Sequence, residues 1–150
     1  MNKFLREQAS GSSKRYLSLT KVLVDSQKPS DIIGFHTLSY SELSTPPDSK
    51  LYKHYPHPLP ILLLNRMAVD LRFQGQRIGE QLLLDAINQV ARVELERLTP
   101  APVIGLLVEA KPGKESFYQK YGFVCVDLEE PLRLWLPIDT CIEVYTIINS

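Results

Sequence analysis

The stretch Val69-Asp70-Leu71-Arg72-Phe73-Gln74-Gly75-Gln76-Arg77-Ile78-Gly79-Glu80 joins an apolar, strand-like run to a long amphipathic segment. Backbone N–H groups in the first turn of a helix have no intrahelical acceptor and sit at the positive end of its dipole, so a turn of this kind attracts phosphate. Gly75 and Gly79 allow the backbone to approach a ligand closely. Before the turn, Ile61 to Val69 reads as a central strand covered on both faces, with Asn65 and Arg66 an interruption that a bulge would explain. After it, Ile78, Leu82, Ala86 and Val90 recur at four-residue steps with Leu83 and Ile87 beside them. That spacing predicts a helix over 78–98 with one buried stripe, ended by Pro100 and Pro102. Val103 to Val108 is the next buried strand. Strand, glycine turn, helix and strand in this order predict a right-handed βαβ unit with parallel neighbours. Its turn lies at a strand's carboxyl end, where such folds bind ligands.

Further along, Ser116-Phe117-Tyr118-Gln119-Lys120-Tyr121-Gly122-Phe123 follows Pro112-Gly113. Lys114 to Tyr121 fits about two helical turns, with Gly122 suited to a left-handed stop. Phe117 and Tyr121 share one face, and Tyr118 is offset by about 100°, toward a cleft. Phe123–Leu128 and Leu132–Leu136 are two closing strands around Glu129-Glu130-Pro131, and helical spacing of Ile138, Cys141, Ile142, Tyr145 and Ile148 predicts a C-terminal helix over 138–149.

Upstream, Asn2 to Ala9 is expected as a short helix, the visible part of a partial N-terminal segment over 1–15. The opening strand then looks to be missing. Tyr16–Val24 and Ile32–Tyr40 form an antiparallel hairpin turned at Lys28-Pro29-Ser30. Ser44 to Pro60 carries five prolines, which exclude helix and central strand and predict a mobile excursion containing His54 and His57.

A chain of 150 residues fits one domain spanning 1–150. Seventeen basic residues balance seventeen acidic ones, so no global field draws the protein to nucleic acid or to an anionic membrane. No metal-type spacing links Cys125 and Cys141, and the chain shows neither an apolar leader nor a membrane-length run. A cytoplasmic setting, free buried thiols, no metal and no membrane are the expectation.

The segments Gln74–Gly79 and Phe117–Phe123, in this order, resemble those of the GNAT superfamily of acetyl-coenzyme A-dependent N-acetyltransferases; the resemblance covers roughly Tyr16 to Leu136. It implies an α/β (α+β) GNAT fold, in which a mixed central sheet with a βαβ acetyl-CoA-binding core is flanked by helices. It further implies direct attack of an amine on the thioester of acetyl-CoA. The cofactor contacts it implies come from Met67, Ala68, Val69, Gln74, Gly75, Gln76, Arg77, Ile78, Gly79, Glu80, Ser116 and Tyr118. Leu64–Asp70, Leu82–Ala86 and Leu134-Trp135-Leu136-Pro137 are similar to the GNAT toxin branch, whose members acetylate aminoacyl-tRNA and are neutralised by a ribbon-helix-helix antitoxin.

Tyr118 is the candidate general acid for the departing thiolate; the competing reading is that it only packs against the cofactor. Glu109 is the leading side-chain base, against a solvated carboxylate. Arg66 either contacts an anionic acceptor or pairs with an acid. Arg77 stands where the family pattern has glycine: its side chain either crowds the phosphates or clamps one with its guanidinium. The functional classes are an aminoacyl-tRNA-acetylating toxin, an acetyltransferase for a small or protein amine, and a non-catalytic remnant. A homodimer is expected, because a missing edge strand would leave backbone groups unpaired.

Overall fold

Lys3–Gln8 (β1) pairs antiparallel with Leu19–Asp25 (β2), placing Phe4 opposite Val24 and Leu5 opposite Leu23. Within the expected helix over Asn2–Ala9, Lys3–Gln8 is therefore a strand, and it forms the sheet edge whose absence the sequence predicts. The sequence Lys-Phe-Leu-Arg-Glu-Gln suits either structure, and packing of Leu5 on a neighbouring strand decides the outcome. The computed structural model describes residues 3–8, 18–44, 58–98 and 102–150. His54 and His57 lie outside the described residues.

The hairpin turn falls at Ser26-Gln27, upstream of the predicted Lys28-Pro29-Ser30, because the Asp25 carboxylate accepts the Gln27 amide at 3.0 Å and closes the turn locally. Pro29 then sits inside Lys28–Leu43 (β3), where the register against β2 is broken, a position that spares it a ladder hydrogen bond. Leu59–Val69 (β4) includes Pro60, whose carbonyl accepts the Ile104 amide at 2.9 Å. The proline excursion thus ends before Leu59. Leu71–Phe73 is a single 3-10 turn, followed by Ile78–Leu95 (α1). This helix stops before the prolines: Arg97 takes φ +53° and the Leu98 amide bonds the Val93 carbonyl at 3.1 Å, a left-handed cap.

Gly105–Glu109 (β5), Glu115–Gln119 (α2), Val124–Cys125 (β6), Arg133–Pro137 (β7) and Ile138–Ile148 (α3) complete the chain. The closing strands are shorter than predicted, since the residues from Asp127 to Glu130 turn on themselves through bonds to the Asp127 side chain and carbonyl. Gly122 takes φ +101°, the predicted left-handed stop. The mixed seven-stranded sheet has the order β1-β2-β3-β4-β5-β7-β6, so α1 links two neighbouring strands as the βαβ reading requires.

Packing divides the chain into two units, 1–39 with 64–86 and 40–63 with 87–150. In the first, Leu23, Ile33, Ile78 and Leu82 form the core, with Leu5, Met67, Val69 and Phe73 against it. A Cβ on Gly34 would lie 2.8 Å from the Ala68 carbonyl oxygen and 3.0 Å from Leu82 Cδ1, so only glycine lets α1 and β4 close over β3 here. Nearby, fully buried His36 places Nε2 2.7 Å from Asp85 Oδ2, and Lys21 Nζ is 3.3 Å from the same oxygen. An ionised carboxylate only accepts, so Nε2 carries the proton. Burial pushes the Asp85 carboxyl up, but the His36 hydrogen bond and the Lys21 charge outweigh it and hold it below the usual value. In the second unit, Leu43, Leu59, Ile61, Leu107 and Trp135 pack together.

Gly34→Ala is expected to lower stability by about 1–3 kcal/mol in denaturant unfolding, because its contact at 2.8 Å is with backbone that cannot swing away. Asp85 contributes stability that is whole above 3.8, its ordinary value, and drains away as pH falls below it. Asp85→Asn should therefore be less stable at neutral pH and show a flatter loss of melting temperature on acidification than the parent.

Candidate active site

β4 delivers the chain to the cradle. Ile61, Leu62 and Leu64 are buried, whereas Asn65, Arg66 and Ala68 are exposed, so the strand leaves its cover halfway along. Asn65 Nδ2 donates to Ser39 Oγ at 2.7 Å, a tie that uses the polar interruption seen in the sequence. Met67 and Val69 turn their side chains into the first unit's core.

At the end of β4 the Asp70 amide donates to the Ile33 carbonyl at 2.8 Å, holding the exit of the strand to β3. Asp70 caps the 3-10 turn, its Oδ1 accepting the Arg72 amide at 2.9 Å. The Arg72 guanidinium returns to Asp70 Oδ1 at 3.1 Å, reaches Asp31 Oδ1 at 2.7 Å and lies 5.2 Å from the Phe73 ring centroid. Arg72 holds the Asp70 carboxyl below the usual range, and the two carboxylates hold Arg72 firmly protonated. This clamp is only half legible in the sequence: Asp70 and Arg72 are two apart, but nothing local points to Asp31.

Gln74 is extended, with its side-chain amide on the Val69 carbonyl at 3.3 Å. Gly75 follows at φ +84° and Arg77 at φ +61°. The Arg77 carbonyl accepts the Gln81 amide at 3.1 Å, the first bond of α1, and buried Ile78 anchors the turn. The amides of Ile78 and Gly79 have no carbonyl ahead of them within the helix. A Cβ on Gly75 would meet nothing within 4 Å, so the space over the turn is open and glycine is needed there for its φ alone. Exposed Gln76 and Arg77 flank that space. One turn with left-handed residues at Gly75 and Arg77, feeding the positive end of an 18-residue helix, fits a diphosphate group.

The second unit holds Ser116 and Tyr118 on α2. Ser116 is exposed. Tyr118 is half-buried, its ring 5.1 Å from Phe117 and 5.6 Å from buried Phe123, both edge-on. Burial raises its pKa, which keeps the phenol protonated and able to donate throughout the neutral range. The Phe117 and Tyr121 rings lie 6.2 Å apart, the contact their spacing predicts.

Glu109 ends β5 beside an open cavity of about 370 Å³ that it lines with Ala110, Glu130, Pro131, Leu132 and Arg133. Arg133 holds it at 2.9 Å and Glu130 at 3.0 Å. A base role for Glu109 would have to compete with that ion pair. Burial pushes the Cys141 thiol up to about 12, leaving it inert at neutral pH, and Cys125 rests on the Asp127 carbonyl at 3.1 Å. Among the described residues no cluster of three or more metal-ligating side chains occurs, and no helix is long and apolar enough to cross a membrane.

A mixed sheet whose strand β4 runs through a left-handed glycine turn into a long helix suits a phosphate-bearing ligand at the helix start. Residues 21–125 match the acetyltransferase (GNAT) domain, and the chain belongs to that family. The tRNA-acetylating toxin of Mycobacterium tuberculosis (strain ATCC 25618 / H37Rv) is 31% identical over 110 residues, 70% of this chain and 61% of that protein; the chain thus spans about three fifths of that relative. Two solved structures share the fold. AtaT complexed with acetyl-methionyl-tRNAfMet has a TM-score of 0.75 at 24% identity, covering 93% of this chain and 79% of its own. A mutant AtaT toxin bound to the C-terminus of the antitoxin AtaR and acetyl-CoA has 0.76 at 18%, covering 99% of each.

Because Gly75 is demanded by conformation and not by space, Gly75→Ala should cost about 1–2 kcal/mol in unfolding experiments. Asn tolerates the left-handed region, so Gly75→Asn should cost less.

Proposed function

We propose that the chain is an acetyl-CoA-dependent N-acetyltransferase whose acceptor is the amino group of an aminoacyl-tRNA. The left-handed turn at Gly75–Arg77 opening α1 at the end of β4 carries this reading. Bound donor supplies an activated acetyl thioester. The backbone from Gln74 to Glu80 binds its diphosphate, and the backbone of Met67, Ala68 and Val69 pairs with the pantetheine arm, with a strand amide there serving the developing oxyanion. Ser116 adds a contact from α2. The acceptor amine forms a bond to the carbonyl carbon, the carbon–sulfur bond breaks, and Tyr118 hands its phenolic proton to the departing thiolate. The amine's own proton leaves through water, since Glu109 is engaged by Arg133.

The tRNA acceptor is supported by the name of the curated relative and by the acetylated tRNA in the AtaT complex. The balance of seventeen basic and seventeen acidic residues favours a second reading, a small or protein amine, because tRNA binding draws on phosphate neutralisation. The same proposal extends to a cytoplasmic toxin held in check by a ribbon-helix-helix antitoxin, with the AtaR complex as support; the missing edge strand that argued for a homodimer is present as β1, so that ground for a dimer falls away. We further infer that 1–150 is one catalytic domain, as β3, β4 and α1 each supply residues to both units.

The test is mass spectrometry of charged tRNA and of amine pools after incubation with labelled acetyl-CoA. Label on the aminoacyl group supports the proposal, label confined to free or protein amines moves the acceptor to the second class, and label in neither pool overturns the enzyme. Tyr118→Phe should lower kcat by about 10²–10⁴ with little change in the KM for acetyl-CoA. Full turnover would leave Tyr118 a packing residue.

A further inference from the structure

The cavity of about 370 Å³ beside Glu109 takes no part in donor binding or in protonation of the thiolate, yet its walls are held in place. Small-molecule sites run from about 300 to 1,000 Å³, so its volume suits one short group. The Ala110 amide donates to the Leu132 carbonyl at 2.8 Å, which carries the β5–β7 ladder one step past the Glu109 and Arg133 pair. The chain from Asp127 to Arg133 closes on itself: the Glu130 amide bonds the Asp127 carbonyl at 2.9 Å, and the Arg133 amide bonds the Glu130 carbonyl at 3.1 Å. Two carboxylates and one guanidinium share this lining. Arg133 Nη2 is 2.9 Å from Glu109 Oε1 and Nη1 is 3.0 Å from Glu130 Oε2. Each carboxylate has about four acceptor positions, so one guanidinium does not saturate two of them, and one negative charge remains in excess. Ala110, Pro131 and Leu132 supply the rest of the lining, all of it apolar.

Apolar walls beside an unbalanced pair of carboxylates fit an ammonium or guanidinium carried on an aliphatic stem. The stem lies along the apolar side chains, and the head takes charge-assisted bonds from Glu109 and Glu130 next to Arg133. The excess negative charge repels a phosphate or a carboxylate, so neither the tRNA backbone nor an acidic acceptor belongs there. The cavity sits at the carboxyl end of β5, where open α/β sheets receive their ligands, and the chain runs on from it through residues 110–114 into α2, which carries Tyr118. We propose that this cavity receives the side chain of the aminoacyl group and selects a basic one, so that the preferred acceptor is a tRNA charged with an amino acid ending in an ammonium or guanidinium. Glu109 and Glu130 are then the specificity residues, and Arg133 holds their carboxylates in position. The inference rests on the aminoacyl-tRNA reading and narrows its substrate class.

The test loads one tRNA body with lysine, arginine, methionine or glutamate and measures kcat/KM for each with acetyl-CoA, alongside free cadaverine, on the wild type, Glu109→Gln and Glu130→Gln. The wild type should favour the lysyl and arginyl forms over the methionyl form by about tenfold or more, with the glutamyl form poorest. Each glutamine variant should cut that preference by about threefold to tenfold, through a higher KM for the basic acceptors. The preference is a ratio between two acceptors on one preparation, so partial unfolding of a variant leaves it unmoved. A wild-type preference below about threefold, or one that both variants retain, overturns the inference while the aminoacyl-tRNA reading stands. Acetylation of cadaverine with none on any tRNA overturns the inference together with that reading, and acetylation of no acceptor overturns the enzyme as well.

Discussion

The closeness of the Gly34 backbone to the Ala68 carbonyl and the Leu82 side chain is the constraint on which the first unit turns. It lets α1 lie on β3 and β4 at a separation that any larger residue would widen, and it brings Leu82 and Ile78 into one cluster with Leu23 and Ile33. The start of α1 is thereby fixed against the strand that feeds it. The amide of Asp70 on the Ile33 carbonyl and the Arg72 clamp on Asp31 then leave the intervening turn little freedom. A cradle for an anion has to be held in this way, because amides that reorient on binding spend interaction energy on their own ordering.

The buried imidazole of this unit is satisfied on one nitrogen only, its Nδ1 having no hydrogen-bond partner among the described residues. His36, fully enclosed, meets Asp85 from α1, and Lys21 from β2 shares the same oxygen, so helix and strands are joined by charge as well as by apolar contact. The second unit relies on aromatic packing. Tyr118 meets Phe117 and Phe123 edge to face beside the short α2, which sets the phenol in surroundings that favour its neutral form. The protonated phenol of Tyr118 and the open turn at Gly75 thus have separate physical origins, one in desolvation and one in backbone conformation.

Where sequence reasoning succeeded, the signal was periodic or stereochemical. Four-residue spacing from Ile78 to Val90 identified α1, and Gly122 marked the end of its segment through the one conformation it tolerates best. Arg77 stood out as a departure from a glycine pattern, and its positive φ is the backbone consequence. The errors have a common cause. Asn2–Ala9 has no strong preference of its own, the hairpin turn was settled by one Asp25 side chain, and α1 ended on Arg97 before the prolines came into play.

The amino-acid order by itself determined the apolar strand, the glycine turn and the amphipathic helix, because each is written in residues adjacent along the chain and obeys local sterics. Only the tertiary structure decided that the N-terminal segment is an edge strand, that Asp31 braces the turn, that His36 is buried against Asp85, and that Glu109 is bound to Arg133. Those outcomes join residues from 12 to 49 positions apart, across distances over which no sequence period carries information.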